Sequence, residues 1–121
     1  MINAPTTEQL SKIPRLNETE TILPEDKIVH LHFQIDHCHW WALEWDLEGT
    51  FFGYVMLKGC SLEAEFGYFT LSELQEVKID GWLEVENDPT WIPRAVKDVG
   101  LIRETMHFQS LKQVWIAQQT V

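Results

Sequence analysis

At 121 residues, with 45% hydrophobic and 23% charged side chains, the chain has room for one domain and enough apolar material for a core without disulfides. Nineteen Asp and Glu against nine Lys and Arg leave a formal net charge of −10, which excludes the basic surface that grips nucleic acid or an anionic membrane. Two cysteines outside any Cys-x-x-Cys pair, no leader-like start and no long apolar run point to a reducing cytoplasm and no membrane span.

Residues 1–27 are polar, hold Pro5, Pro14 and Pro24, and read as a peripheral N-terminal arm. Within it Thr6 and Gln9 have the spacing of a capping box, opening a short helix that Pro14 must stop. From Ile28 the hydrophobic period becomes two, which predicts strands. Val29, Leu31, Phe33 and Ile35 supply the apolar face of the first. In the second, Trp41, Leu43, Trp45 and Leu47 point inward, and Trp40, Ala42, Glu44, Asp46 and Glu48 point outward. Residues 50–57 and 62–69 follow as a hairpin around Lys58-Gly59-Cys60-Ser61, each carrying Phe-Gly-Tyr, and the matched glycines predict a close backbone approach. Thr70 and Glu73 predict a second capped helix, over 71–78 with Leu71, Leu74 and Val77 on its packing side.

Asp80-Gly81 turns into a fifth strand over 82–86, ended by Asn87-Asp88-Pro89. The spacing of Phe108, Leu111, Val114 and Trp115 predicts a helix from Thr105 to about Gln118, in a tail over 94–121 packed on the same domain. Together these elements make an α+β domain: a mainly antiparallel sheet of about five strands with a helix on one face, centred on 28–93. A more strongly curled, barrel-like sheet is the alternative.

Three segments carry a likeness to known proteins: Trp40-Trp41-Ala42-Leu43-Glu44-Trp45-Asp46, Phe52-Gly53-Tyr54-Val55, and Glu65-Phe66-Gly67-Tyr68-Phe69-Thr70-Leu71-Ser72-Glu73-Leu74. In these the chain resembles a family of small uncharacterised proteins of plasmids, phages and other bacterial mobile elements. The resemblance implies a compact α+β domain with a mobile-element background, and it brings no catalytic or binding residues. Val85-Glu86-Asn87-Asp88 stands where such proteins tend to carry Val-Glu-Arg-Asp.

Placed on one sheet with apolar faces inward, the strands would gather Glu44, Asp46, Glu63, Glu65, Glu84 and Glu86 on the outward face, with Trp40 and Trp82 among them. Such a face is either a solvated surface kept soluble by charge or a platform for a basic protein partner, and aromatics beside charge favour the interface; no cofactor is expected. The function expected is therefore an acidic, non-enzymatic interaction protein. It would bind and inhibit a basic nucleic-acid-processing or defence protein by imitating nucleic-acid charge, without touching nucleic acid itself. The apolar tail stripe also admits a second copy of the chain as partner.

The alternative is a metal-dependent enzyme in which His30 and His32, on one side of a strand, join Glu44 or Asp46 around Zn²⁺ or Fe²⁺. Cys38 between His37 and His39 is a weak nucleophile candidate, since neighbours in an extended chain face opposite ways. No Walker A, Gly-x-Ser-x-Gly, Gly-x-Gly-x-x-Gly or His-Glu-x-x-His pattern occurs.

Overall fold

The computed structural model describes residues 1–105, 108 and 109. Among them the strands are β1 (Ile28–Val29), β2 (Leu31–Ile35), β3 (Cys38–Trp45), β4 (Thr50–Met56), β5 (Glu65–Thr70), β6 (Lys78–Ile79), β7 (Leu83–Glu84), β8 (Glu86–Asn87) and β9 (Arg94–Ala95). The helices are α1 (Thr7–Ser11), α2 (Leu71–Glu76) and α3 (Gly100–Arg103). The fold is α+β, with a five-stranded antiparallel sheet ordered β5-β4-β3-β2-β8. Two small pairs, β1-β9 and β6-β7, stand outside it.

Both faces of this sheet are covered. On one, Leu31, Phe33, Ile35, Trp40, Trp45 and Phe51 pack with Leu74 of α2 and with Ile13. On the other, Trp41, Leu43, Tyr54 and Met56 pack with Val96, Ile102 and Phe108. A β-bulge between Ala42 and Glu44 is what divides β3 this way. The extra residue lets Leu43 and Glu44 follow Trp41 on one face, and it returns Trp45 to the face of Trp40 and Ala42. The expected alternation of Trp41, Leu43 and Trp45 on a single face is thereby corrected. At His30 the chain leaves strand geometry, so Val29 likewise joins the face opposite Leu31.

The two matched glycines lie opposite each other, Gly53 on β4 and Gly67 on β5. A Cβ on Gly53 would overlap the carbonyl of Trp41, so glycine is required there by close approach, whereas one on Gly67 would meet nothing within 4 Å. Both expected capped helices form. Thr6 and Gln9 make a full capping box, and Thr70 Oγ1 accepts from the amide of Glu73.

The arm over 1–27 is not peripheral. Ile13 is 1% exposed, Pro14 O accepts from Trp45 N, and the Arg15 guanidinium donates to Trp45 O. The fifth expected strand divides at Val85: β7 pairs with β6, and β8 joins the main sheet beside β2. Of the expected tail helix, Phe108 is buried, while Leu111, Val114 and Trp115 lie outside the described residues. None of the described helices is long and apolar enough to cross a membrane.

Candidate functional site

The six carboxylates expected on one face do not share one. Glu44 is 4% exposed, because the bulge turns it toward the N-terminal arm. There it accepts from the amides of Asn17 at 2.9 Å and Thr19 at 3.2 Å, and from the Thr19 hydroxyl. The Lys27 ammonium donates to Thr19 O and Oγ1, both at 2.7 Å. Thr19 thus bridges a buried cation and a buried carboxylate, which satisfies both without a direct ion pair. Glu44 holds the arm on the sheet.

Asp46 ties a turn. Its Oδ1 accepts from the amides of Glu48, Gly49 and Thr50, and these bonds, chiefly that from Thr50, hold its carboxyl below the usual range. Glu84 binds the N-terminal ammonium, which lowers its pKa, and Glu86 meets the Gln34 amide. Trp40 is buried in the core opposite Phe33, so it is not an outward anchor. Of the expected interface, Glu63 and Glu65 remain exposed near and on β5, and Trp82 is 73% exposed in the turn between β6 and β7.

The histidines assemble differently from expectation too. His30 lines a shallow cavity with Gln9, Lys12 and Trp91, and burial lowers its pKa. His32 is buried, with both ring nitrogens engaged. Its Nδ1 lies 3.1 Å from Asp88 Oδ2 and its Nε2 lies 2.9 Å from His39 Nδ1. The β2–β3 register places His39 diagonally from His32, two positions along from the Trp41 that His32 faces. Asp88 is fixed beside them from β8's end, since its amide also donates to His32 O at 2.9 Å. Among the described residues no group of three or more His, Cys, Asp or Glu is arranged to hold a metal ion. His30 and His32 therefore do not converge with Glu44 or Asp46 as expected.

The indole of Trp41 lies nearly parallel to both rings, 8° from His32 and 9° from His39, with centroids 5.4 and 5.3 Å away. Trp91 closes against His32 at 52°, anchored by Nε1–H to Val29 O and covered by the Arg94 guanidinium 4.2 Å from its ring. Burial lowers the pKa of His32 against the opposing pull of Asp88. His39 is held near 4 by burial and by the neighbouring His32 and His37. Burial would raise Asp88, but donors from the Thr90 side chain and amide and from His32 outweigh it and leave its carboxyl low.

At neutral pH the chain is thus a carboxylate followed by two uncharged imidazoles. Asp88 can only accept, so His32 carries its proton on Nδ1 and its lone pair on Nε2. That lone pair accepts the Nδ1–H of His39. Nε2 of His39 is left unprotonated and without a hydrogen-bond partner among the described residues.

Sequence reasoning directed His32 toward Glu44 and Asp46 and treated His39 only as a neighbour of Cys38; it read Asp88 only as a strand terminator. Cys38 sits on the opposite side of β3 from His39, packed against the core, and its Sγ accepts from the Lys58 amide at 3.3 Å. Searches among known proteins bring no relative to this arrangement: no family model, curated protein or solved structure matches the chain.

Proposed function

We propose that the protein acts by binding a basic protein segment along the outer edge of β5. The observation that carries this reading is an acidic stretch around the terminal strand of the main sheet. β5 is the terminal strand of the main sheet, with β4 on one side and no strand on the other among the described residues. From Gly59 through Val77 the chain has Glu63, Glu65, Glu73 and Glu76 and no Lys or Arg.

The outer side of a terminal strand is where an incoming extended segment can add by β-augmentation, and like charge beside it discourages pairing with a second copy. Tyr68, 64% exposed and in contact with Phe52, adds apolar area beside those carboxylates. The net charge of −10 would steer a basic partner toward the protein from beyond contact distance. The sequence resemblance to mobile-element proteins supports a partner among basic nucleic-acid-processing or defence proteins, whose phosphate-binding surfaces an acidic edge would occupy.

The test is titration of a fluorescent peptide in which Lys or Arg alternates with apolar residues, against the same peptide with Glu at the charged positions. Binding of the basic peptide should weaken with salt, and should fall about tenfold when Glu63, Glu65, Glu73 and Glu76 are all changed to Gln. Equal binding of both peptides, or an unchanged affinity in the Gln variant, overturns the reading.

A further inference from the structure

We propose that His39 Nε2 is a nucleophile for acyl transfer, positioned by His32 and Asp88, toward small neutral or cationic activated esters entering the cavity beside it. This stands apart from the β5 edge and uses none of its residues.

Three observations carry it. The first is the hydrogen-bond order from Asp88 through His32 to His39, which leaves the lone pair of His39 at Nε2. A carboxylate oriented on an imidazole is the arrangement that enzymes use to make a neighbouring nucleophile reactive, and here a second imidazole occupies the nucleophile's place. The second is rigidity: His32 and His39 lie flat on Trp41, and Trp91 closes against His32, so the rings are held in one orientation.

The third is access. His39 lines a cavity of about 330 Å³ with His37, Met56, Ser61, Leu101 and Glu104, near the lower end of the range for small-molecule sites. Among the described residues its walls carry the Glu104 carboxylate and no Lys or Arg, which disfavours anionic substrates such as phosphate esters.

The reaction can be followed atom by atom. Nε2 of His39 attacks the ester carbonyl and forms the N–C bond, and the C–O bond to the leaving group breaks with its electron pair going to that oxygen. As the ring gains positive charge, its Nδ1 proton passes to Nε2 of His32. The resulting His32 imidazolium is stabilised by Asp88, its hydrogen-bond partner. Water then attacks the acyl carbon, the C–N bond breaks with its electron pair returning to Nε2 of His39, and the free acid leaves. The second proton of the water passes to solvent, balancing the anionic leaving group, as the His32 proton returns to His39 Nδ1. His39 touches substrate; His32 and Asp88 are positioning residues.

The full chain is assayed with p-nitrophenyl acetate, following release of p-nitrophenolate. His39→Gln should lower the rate about tenfold or more, Asp88→Asn should lower it in the same direction, and His30→Gln, in a different cavity, should leave it unchanged. A sample frozen during turnover at neutral pH, and never exposed to acid, should carry the acetyl group on His39. The rate should stay level down to about pH 5, because His39 titrates at about 4. Independently of activity and of any variant, ¹⁵N NMR of the native protein should show His39 protonated at Nδ1 and bare at Nε2. A His39 protonated at Nε2, an unchanged rate in His39→Gln, or acetyl found only elsewhere overturns the proposal.

Discussion

The two faces of the central sheet are packed by the same kinds of residue to different ends. Against α2, Phe33, Trp45, Phe51 and Phe69 meet mainly other hydrocarbon, and the buried polar side chain beside them, Asn87, lies at the sheet edge where its amide reaches Gln9. Against α3, polar groups run through the packing: the His32–His39 pair on Trp41, Glu44 with Thr19, and the Tyr54 hydroxyl bonded to Thr105. Apolar contact tolerates many rotamer solutions, while a buried polar group is costly without a partner. The second face, where the imidazoles, Glu44 and Tyr54 have one and Trp41 Nε1 has none among the described residues, therefore specifies orientation where the first supplies burial.

Removing a large ring from the apolar face should give the largest effect. Phe33 is fully buried, and Phe33→Ala should cost about 3–5 kcal/mol in urea unfolding while the His39 tautomer survives in NMR. A changed tautomer at unchanged fold would break the separation between the faces. Next comes Glu44→Ala, which strands the amides of Asn17 and Thr19 and should cost about 1–3 kcal/mol, with early protease cleavage in the arm. Cleavage no faster than in the native chain would show that the arm is held by Ile13 and Pro14 instead.

A smaller effect is expected from pH. His32 and His39 both have folded pKa values below their unfolded value of about 6.5. The unfolded chain therefore binds more protons between that value and about 4, where His39 titrates in the fold. Their contribution to stability is complete above about pH 6.5 and is lost as pH falls toward 4. Urea midpoints should drop over that interval, and less steeply in His39→Gln; parallel slopes would remove the imidazole pair from the account. The smallest change belongs to the β5 region, where Glu63→Gln with Glu65→Gln should shift stability by no more than about 0.5 kcal/mol while weakening the basic peptide.

Much of the fold was legible because its signals are local. The period of two from Ile28 onward and the Thr6 and Thr70 caps each depend on a few consecutive residues and became strands and helices, whereas the Lys58-Gly59 turn opens a longer loop and β5 starts at Glu65 instead of 62. The His site was not read: with the turn at Asp36 and His37 pairing Ile35 with Cys38, the register puts His32 opposite Trp41 and diagonal to His39, a pairing that the sequence reading left open. Asp88 was not legible either, since it arrives through β8, whose pairing with β2 is set over more than fifty residues of chain.

The expected acidic face failed for one local reason and one distant one. A single bulged residue in β3 reverses the parity of everything after it, and nothing in Ala42-Leu43-Glu44 announces it; Thr19 and Lys27, which make a buried Glu44 tolerable, lie far upstream. By itself the sequence determined which segments become strands and helices and how much negative charge the surface must carry, because propensity, period and composition act residue by residue. Which face each carboxylate occupies, and that Asp88, His32 and His39 share one hydrogen-bonded line, was decided only in the tertiary structure, where strand order and a bulge bring distant donors and acceptors to within 3.1 Å.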